Sequence, residues 1–261
     1  MFGMMIALIS IYRSIYPEIE ILKAPRALDN GVVITFDDGP HPTHTTEILD
    51  ILKQKRVHAT FFLIWLHIRR DQKVILREAR EWHAVGGHSY SHQAFSKLGL
   101  SAIATEILLT HIKIASLVWK YPTYFRFPYG VDDIRIRNFY SWKIISWNVD
   151  AYDWKAKNPK LLASKIVSQT RTWSIILLHD IKADTVKALP YIIDGIRAKK
   201  LEFTTLPSLI ASMPREESTN IGYYSKYKTW ALHDHRKIKK PPVESTEGIL
   251  EPLIFTEVAP W

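Results

Sequence analysis

Apolar and polar positions fall in blocks along this chain, and the blocks change period in a regular way. Gly31-Val-Val-Ile-Thr-Phe36 is an apolar and β-prone run that ends on Asp37, Asp38, Gly39 and Pro40. Such a run closed by a Gly-Pro stop predicts a buried strand. Ile48, Leu49 and Leu52 then recur at helical spacing within Thr43 to Lys55, and Ala59-Thr-Phe-Phe-Leu-Ile-Trp65 predicts a second buried strand. Asp71 to Trp82 predicts a helix and Ala84 to Tyr90 a short strand. Ser101 to Lys120 predicts a long helix with Ile103, Ile107, Ile114, Leu117 and Val118 on one side. Further strands are predicted at Tyr124 to Phe127, Lys143 to Trp147, Ser174 to Leu178 and Glu202 to Thr205, with helices near Pro159 to Thr172 and Ala188 to Lys199. Strands separated by helices in this rhythm predict an α/β fold with a mostly parallel sheet.

The count of about seven strands approaches the eight of a closed strand-helix barrel, and the charged clusters fall at strand ends, which form the catalytic rim of such barrels. From Arg215 the rhythm fails. Arg215-Glu-Glu-Ser-Thr-Asn220 is polar, Lys239-Lys-Pro-Pro242 cannot be helical, and Tyr223, Tyr224, Tyr227 and Trp230 cluster together. The expected organisation is an apolar segment over 1–30, a barrel over 31–214 and an aromatic and basic extension over 215–261 that wraps the barrel. That extension either shapes a substrate groove or braces the fold. Met1 to Tyr12 is apolar but too short to span a bilayer, and no basic residue precedes it. It reads as a trimmed signal-anchor remnant or as a helix packed on the barrel, so no stable membrane span is expected.

Composition narrows the chemistry. A chain of 261 residues with 47% hydrophobic content can fill one large core. The absence of cysteine excludes disulfides, thiolate metal sites and a cysteine nucleophile, so any metal must be held by histidine and carboxylate. An excess of 35 Lys plus Arg over 26 Asp plus Glu gives a net charge of +9, which favours acidic polymers or anionic surfaces. The basic residues are scattered apart from Arg236-Lys-Ile-Lys-Lys240, and no nucleic-acid motif is interleaved with them, so no nucleic-acid partner is expected.

Asp37 and Asp38 are adjacent, and in regular β geometry their side chains point to opposite faces; Gly39 and Pro40 break that geometry. Two neighbouring carboxylates need a cation or a basic partner. His88 and His92 lie four residues apart and would share a face on a helical turn or on a strand. With an acid at a strand end they make a two-His, one-carboxylate set with an open position, as in hydrolytic zinc sites. Arg126 stands between aromatic residues after a strand and calls for an anion. Asp150 and Asp153 follow the next strand beside Trp154, and His179 ends another apolar run. Taken singly, these are a salt bridge, capping acids and a core imidazole; five polar clusters at five strand ends point instead to one site. His233 and His235 flank an acid but read as exposed tail residues rather than as a second metal site.

These segments resemble the five motifs of the NodB-homology polysaccharide deacetylases, carbohydrate esterase family 4, over roughly Gly31 to Pro214. The motifs stand at Thr35 to Gly39, His88 to His92, Arg126 to Tyr129, Asp150 to Trp154 and Leu177 to His179, each without a catalytic substitution. The resemblance implies a distorted (β/α)7 barrel. It also implies that Asp38, His88 and His92 bind one divalent ion, zinc by default with cobalt also fitting, and that Asp37 is the catalytic base with Arg126 keeping it ionised. By the same resemblance, His179 is the acid that protonates the leaving amine, paired with Asp153. The backbone N–H of Tyr129 would stabilise the oxyanion, and Leu177 and Trp154 would wall the acetyl pocket.

The expected function is hydrolysis of the N-acetyl group of an amino sugar, N-acetylglucosamine in peptidoglycan, with chitin oligosaccharide as the runner-up substrate. The expected location is periplasmic, extracellular or cell-wall associated. A glycan-binding barrel that has lost the reaction has little reason to retain Asp37, Arg126 and His179 together. A phosphoesterase would require a phosphate-cradling glycine loop or a second metal site, and the sequence offers neither. The oligomeric state is left open.

Overall fold

The apolar run from Gly31 becomes the strand on which the sheet is built. The computed structural model describes residues 30–131, 133 and 143–212, all in one compact unit. Its strands are β1 (Gly31–Asp37), β2 (Thr60–Leu63), β3 (Ala84–Gly87), β4 (Tyr124–Phe125), β5 (Lys143–Ile144), β6 (Val149–Asp150), β7 (Ile175–His179) and β8 (Glu202–Phe203). The helices are α1 (His44–Lys55), α2 (Trp65–Ile68), α3 (Gln72–Arg80), α4 (Leu100–Val118), α5 (Pro159–Gln169), α6 (Ala183–Ala198) and α7 (Leu206–Ser212). The strands run parallel in the order β5-β4-β3-β2-β1-β7-β6, and β8 pairs with the start of β1. β5 and β6 stand at the two ends of this ladder, so the sheet curls without a complete hydrogen-bonded closure among the described residues. This is the distorted seven-strand barrel that the motifs imply.

The period-2 alternation of β side chains sorts the core into layers. Val32, Ile34 and Phe36 join Phe61, Leu63, Ile176 and Leu178 beneath Leu49 and Leu52 of α1 and Leu189 and Ile193 of α6. The opposite face of β1 and β7, Val33 and Ile175, packs with Phe62, Tyr124 and Ile145, and Leu206 and Leu209 of α7 join them. By the same parity Thr35, Asp37, Leu177 and His179 lie on this second face. The C-terminal ends of the strands therefore carry polar groups on a floor of apolar ones.

Several boundaries differ from the sequence expectation. The strand after Ala84 ends at Gly87, because Ser89 takes a positive φ of 72° that no β ladder accommodates. Trp65 opens α2 instead of closing β2. β4, β5 and β8 are each two residues long, and β6 is a further strand of two residues, too short to carry a period. α6 begins at Ala183 rather than Ala188; Thr185, Ala188, Leu189, Ile192, Ile193 and Ile196 form one buried stripe that continues through Pro190. The expectations for the apolar first segment, for the 215–261 extension and for His233 and His235 lie outside the described residues.

Candidate active site

β1 delivers the two adjacent acids. Asp37 is its last residue and is buried. Asp38 has φ 75°, so the strand alternation breaks at Asp38 itself rather than at Gly39. Aspartate tolerates this left-handed region better than most side chains. The break lets both carboxylates approach one imidazole: His88 Nε2 is 3.7 Å from Asp37 Oδ2 and 3.5 Å from Asp38 Oδ1. A Cβ at Gly39 would stand 2.1 Å from the Asp180 carboxylate, so a larger residue there would force that side chain to shift.

His88 follows β3 directly and is buried. Its Nδ1–H donates to the Arg126 carbonyl at 2.8 Å, which leaves a lone pair on Nε2. Burial lowers its pKa to about 3 against the pull of the Asp38 carboxylate, so the ring is neutral. His92 Nε2 lies 3.3 Å from the same Asp38 oxygen. The loop between the two histidines is neither helical turn nor strand. Ser89 and His92 have φ values of 72° and 60°, the His92 N–H donates to Ser89 Oγ at 2.9 Å, and Ser91 donates through N–H and hydroxyl to the buried Glu106 of α4 at 2.8 and 2.6 Å.

One donor atom each from Asp38, His88 and His92 lies within 4.8 Å of the others. Asp38 Oδ1 is buried without a hydrogen-bond partner. A neutral imidazole lone pair facing a carboxylate is repulsive until a cation lies between them. Two imidazoles and one carboxylate are also a donor set that divalent transition ions accept, so these residues fit a metal ion.

Arg126 follows β4 and is 1% exposed. Its Nη1 donates to Asp37 Oδ1 at 2.7 Å and to Thr35 Oγ1 at 2.8 Å, Nε donates to the Ile145 carbonyl at 3.0 Å and Nη2 to the Ser146 carbonyl at 3.1 Å. The guanidinium also lies 4.2 Å from the centre of the Phe62 ring. The anion that Arg126 calls for is thus Asp37. Burial raises the Asp37 pKa, and Arg126 and then His179 pull it back without cancelling the rise. Arg126 therefore acts in the direction expected of it, favouring the ionised carboxylate against the desolvation of a buried acid.

His179 ends β7 directly opposite Asp37 in the β1–β7 register. Its Nδ1–H donates to Asp153 Oδ1 at 2.6 Å, and Asp153 Oδ2 accepts from the His179 N–H and the Thr185 hydroxyl, each at 2.7 Å. Burial opposes the imidazolium charge, but the hydrogen bond and charge of Asp153, with Asp37 and Asp38 behind it, raise the His179 pKa to about 9. Leu177 is buried two residues before His179 on the same strand face. Trp154 is half exposed on the rim with Lys155 Nζ 4.2 Å above its ring. Tyr129 has φ 60° and packs its ring 4.5 Å from that of His92. Asp150 accepts the Tyr152 N–H at 2.7 Å, a turn role.

Residues 25–141 match the family model described as polysaccharide deacetylase. The chitooligosaccharide deacetylase of Bradyrhizobium is 31% identical over 197 residues, 69% of this chain and 90% of that protein. The chain belongs to the polysaccharide deacetylase family. The peptidoglycan-N-acetylglucosamine deacetylase PgdA of Listeria monocytogenes is 31% identical over 192 residues, 73% of this chain but 41% of that protein. The chain therefore spans about two fifths of the length of such longer deacetylases. The structure of the peptidoglycan deacetylase PdaC from Bacillus subtilis superposes with a TM-score of 0.69 at 29% identity, covering 74% of this chain and 96% of that one.

The structure brings Asp37, Asp38, His88, His92, Arg126, Asp153 and His179 together at the strand ends, with Tyr129 against His92. The groups that hold them were not singled out from the sequence. Thr185 lies 32 positions from Asp153 and carries no local signal. Glu106 did have one: it is a charged residue on the buried stripe of α4 that includes Ile103, Ile107 and Ile114. His67 and the Thr45–Asp180 hydrogen bond of 2.6 Å belong to no motif.

Proposed function

We propose that the protein is a metal-dependent polysaccharide deacetylase that hydrolyses the N-acetyl group of N-acetylglucosamine in peptidoglycan. The observation that carries this reading is the convergence of Asp38, His88 and His92 beside an Asp37–His179 pair that faces across two neighbouring strands. The relatives named for peptidoglycan support the substrate, as does the net charge of +9, which suits an anionic wall polymer. A chitin oligosaccharide is the second reading, favoured by the Bradyrhizobium relative, which the chain covers over 90% of its length.

Asp38, His88 and His92 would hold one divalent ion, zinc by default with cobalt also fitting, and the ion supplies Lewis acidity toward the amide carbonyl and the attacking water. Asp37, with Oδ1 fixed by Arg126, takes the proton from that water through its remaining oxygen. The raised Asp37 pKa moves the base toward neutrality, where proton transfer in both directions is cheapest. His179 is charged at neutral pH and directs its Nε2–H to the leaving nitrogen, because Asp153 occupies Nδ1. The amide bond breaks as that proton arrives, giving a free amine and acetate. The Tyr129 N–H supplies a donor to the oxyanion, and Leu177 and Trp154 bound the methyl group. Work on a wall polymer places the protein in the periplasm or outside the cell.

Acetate release from peptidoglycan fragments and from chitin oligomers, with and without a chelator, tests this. Chelator-sensitive release with preference for the wall fragments is expected. A strong preference for chitin would reassign the substrate. No release from either by zinc-loaded protein would leave a glycan-binding barrel.

A further inference from the structure

Residues 64–67, between β2 and the rest of α2, lie outside all five motifs, yet each donates a hydrogen bond to a segment that carries a metal-ligand candidate. The Ile64 N–H donates to the Gly39 carbonyl at 3.0 Å, the Trp65 N–H to the Ser89 carbonyl at 3.1 Å and the Leu66 N–H to the Tyr90 carbonyl at 3.2 Å. His67 Nδ1 lies 2.5 Å from the Asp38 carbonyl oxygen. A carbonyl can only accept, so Nδ1 carries the proton. One strut therefore ties the Asp38–Gly39 corner to the His88–His92 loop. His67 is its one member that acts through a side chain.

The bond falls at a residue with positive φ. Asp38 holds φ 75°, a left-handed conformation that aspartate tolerates but that is still uncommon outside glycine and persists where neighbours hold it. That φ turns the Asp38 carboxylate toward His88 and His92. If the carbonyl were released, the residue would relax toward the β region, and the carboxylate would swing to the opposite face of the strand. Gly39 is held independently by Ile64, and His41, two residues further on, by the Thr45 hydroxyl at 2.7 Å, so losing the His67 bond loosens Asp38 without dismantling the corner.

We propose that His67 is a positioning residue for the metal centre: by holding the Asp38 carbonyl it fixes the Asp38 carboxylate against His88 and His92 and thereby sets the affinity for the divalent ion. This rests on the metal reading given under Proposed function. Groups that orient a ligand without touching the ion are worth about 10–100-fold in metal affinity when removed. Asparagine presents its Nδ2–H as many bonds from Cα as histidine presents Nδ1–H, so it can replace the donor; phenylalanine fills the volume without one.

The experiment measures zinc affinity by competition with a chromophoric chelator for the wild type, His67→Ala, His67→Phe, His67→Asn and Asp38→Ala, together with the melting temperature of each metal-free protein. The expected result is zinc binding weakened about 10–100-fold in His67→Ala and His67→Phe, recovery to within about threefold in His67→Asn, and similar metal-free melting temperatures. Unchanged affinity in His67→Phe, or no recovery in His67→Asn, would overturn the inference while leaving the metal site standing. A wild type that binds zinc no better than Asp38→Ala would instead overturn the metal reading, and the role of His67 with it.

Discussion

Asp153 and Asp38 are both acids at the strand ends of one barrel, and the protein surrounds them differently. Asp153 receives the His179 N–H, the His179 Nδ1–H and the Thr185 hydroxyl. Asp38 Oδ1 is buried with no donor and faces two imidazoles. The Asp37–Arg126 pair resembles the first case, with the donors of Arg126 directed to Asp37, Thr35 and two carbonyls. The difference teaches what the chain supplies for itself. Asp37 and Asp153 are matched by charged or hydrogen-bonding partners as folded, whereas Asp38 Oδ1 meets no donor of the protein. A buried carboxylate oxygen without a donor is costly, and the two imidazoles beside Asp38 make this place fit for a cation, as proposed above.

The sharpest way to break the contrast is to remove the unfinished half. Asp38→Ala should reduce acetate release to background while the protein stays folded, and chelator treatment of the wild type should do the same until zinc is returned. Retained turnover in either case would show that the deficit has no catalytic role.

Removing the finished acid should cost less but remain large. His179→Ala should lower turnover about 10²–10⁴-fold, as measured by acetate release with the metal content unchanged. In the wild type, activity should fall as pH rises through about 9, where His179 loses its proton. The same charge stabilises the fold. Because the folded pKa lies above the ordinary value of 6.5, the contribution is complete below that pH and is lost as pH rises through about 9. Thermal melting across this range should report it.

Breaking the Asp37–Arg126 pair separates the two halves in another way. Arg126→Ala leaves Asp37 buried and unpaired, and should cost about 3–5 kcal/mol in urea denaturation, besides activity. The smallest effect is expected at Thr185→Val, which removes one of three donors to Asp153. Stability should drop by about 1–3 kcal/mol, and the alkaline limb of the activity profile should move as the Asp153–His179 pair readjusts. An unmoved limb would reduce Thr185 to a packing role.

The same contrast explains what the sequence made legible. Long elements with a clear period were readable: β1 and α1 end within a residue or two of their expected limits, and α4 ends close to its own. The motif residues were readable because each follows an apolar run at a strand end. The two-residue strands were not, since a pair of residues has no period and is set by its neighbours in the sheet. The loop from His88 to His92 was read as helix or strand, yet positive φ at Ser89 and His92 is stabilised by a serine hydroxyl and by Glu106 from another helix. Asp38 breaks the strand where its carbonyl meets His67, 29 positions along the chain, a contact that no local pattern announces. Local pattern therefore finds the candidate residues, and only tertiary structure shows how they are held.

The most direct test is metal content against turnover. Protein stripped with a chelator and reloaded with increasing zinc should release acetate from peptidoglycan fragments in proportion to bound metal, levelling off at one ion per chain. Full activity in the stripped protein, or no gain on reloading, would contradict the account.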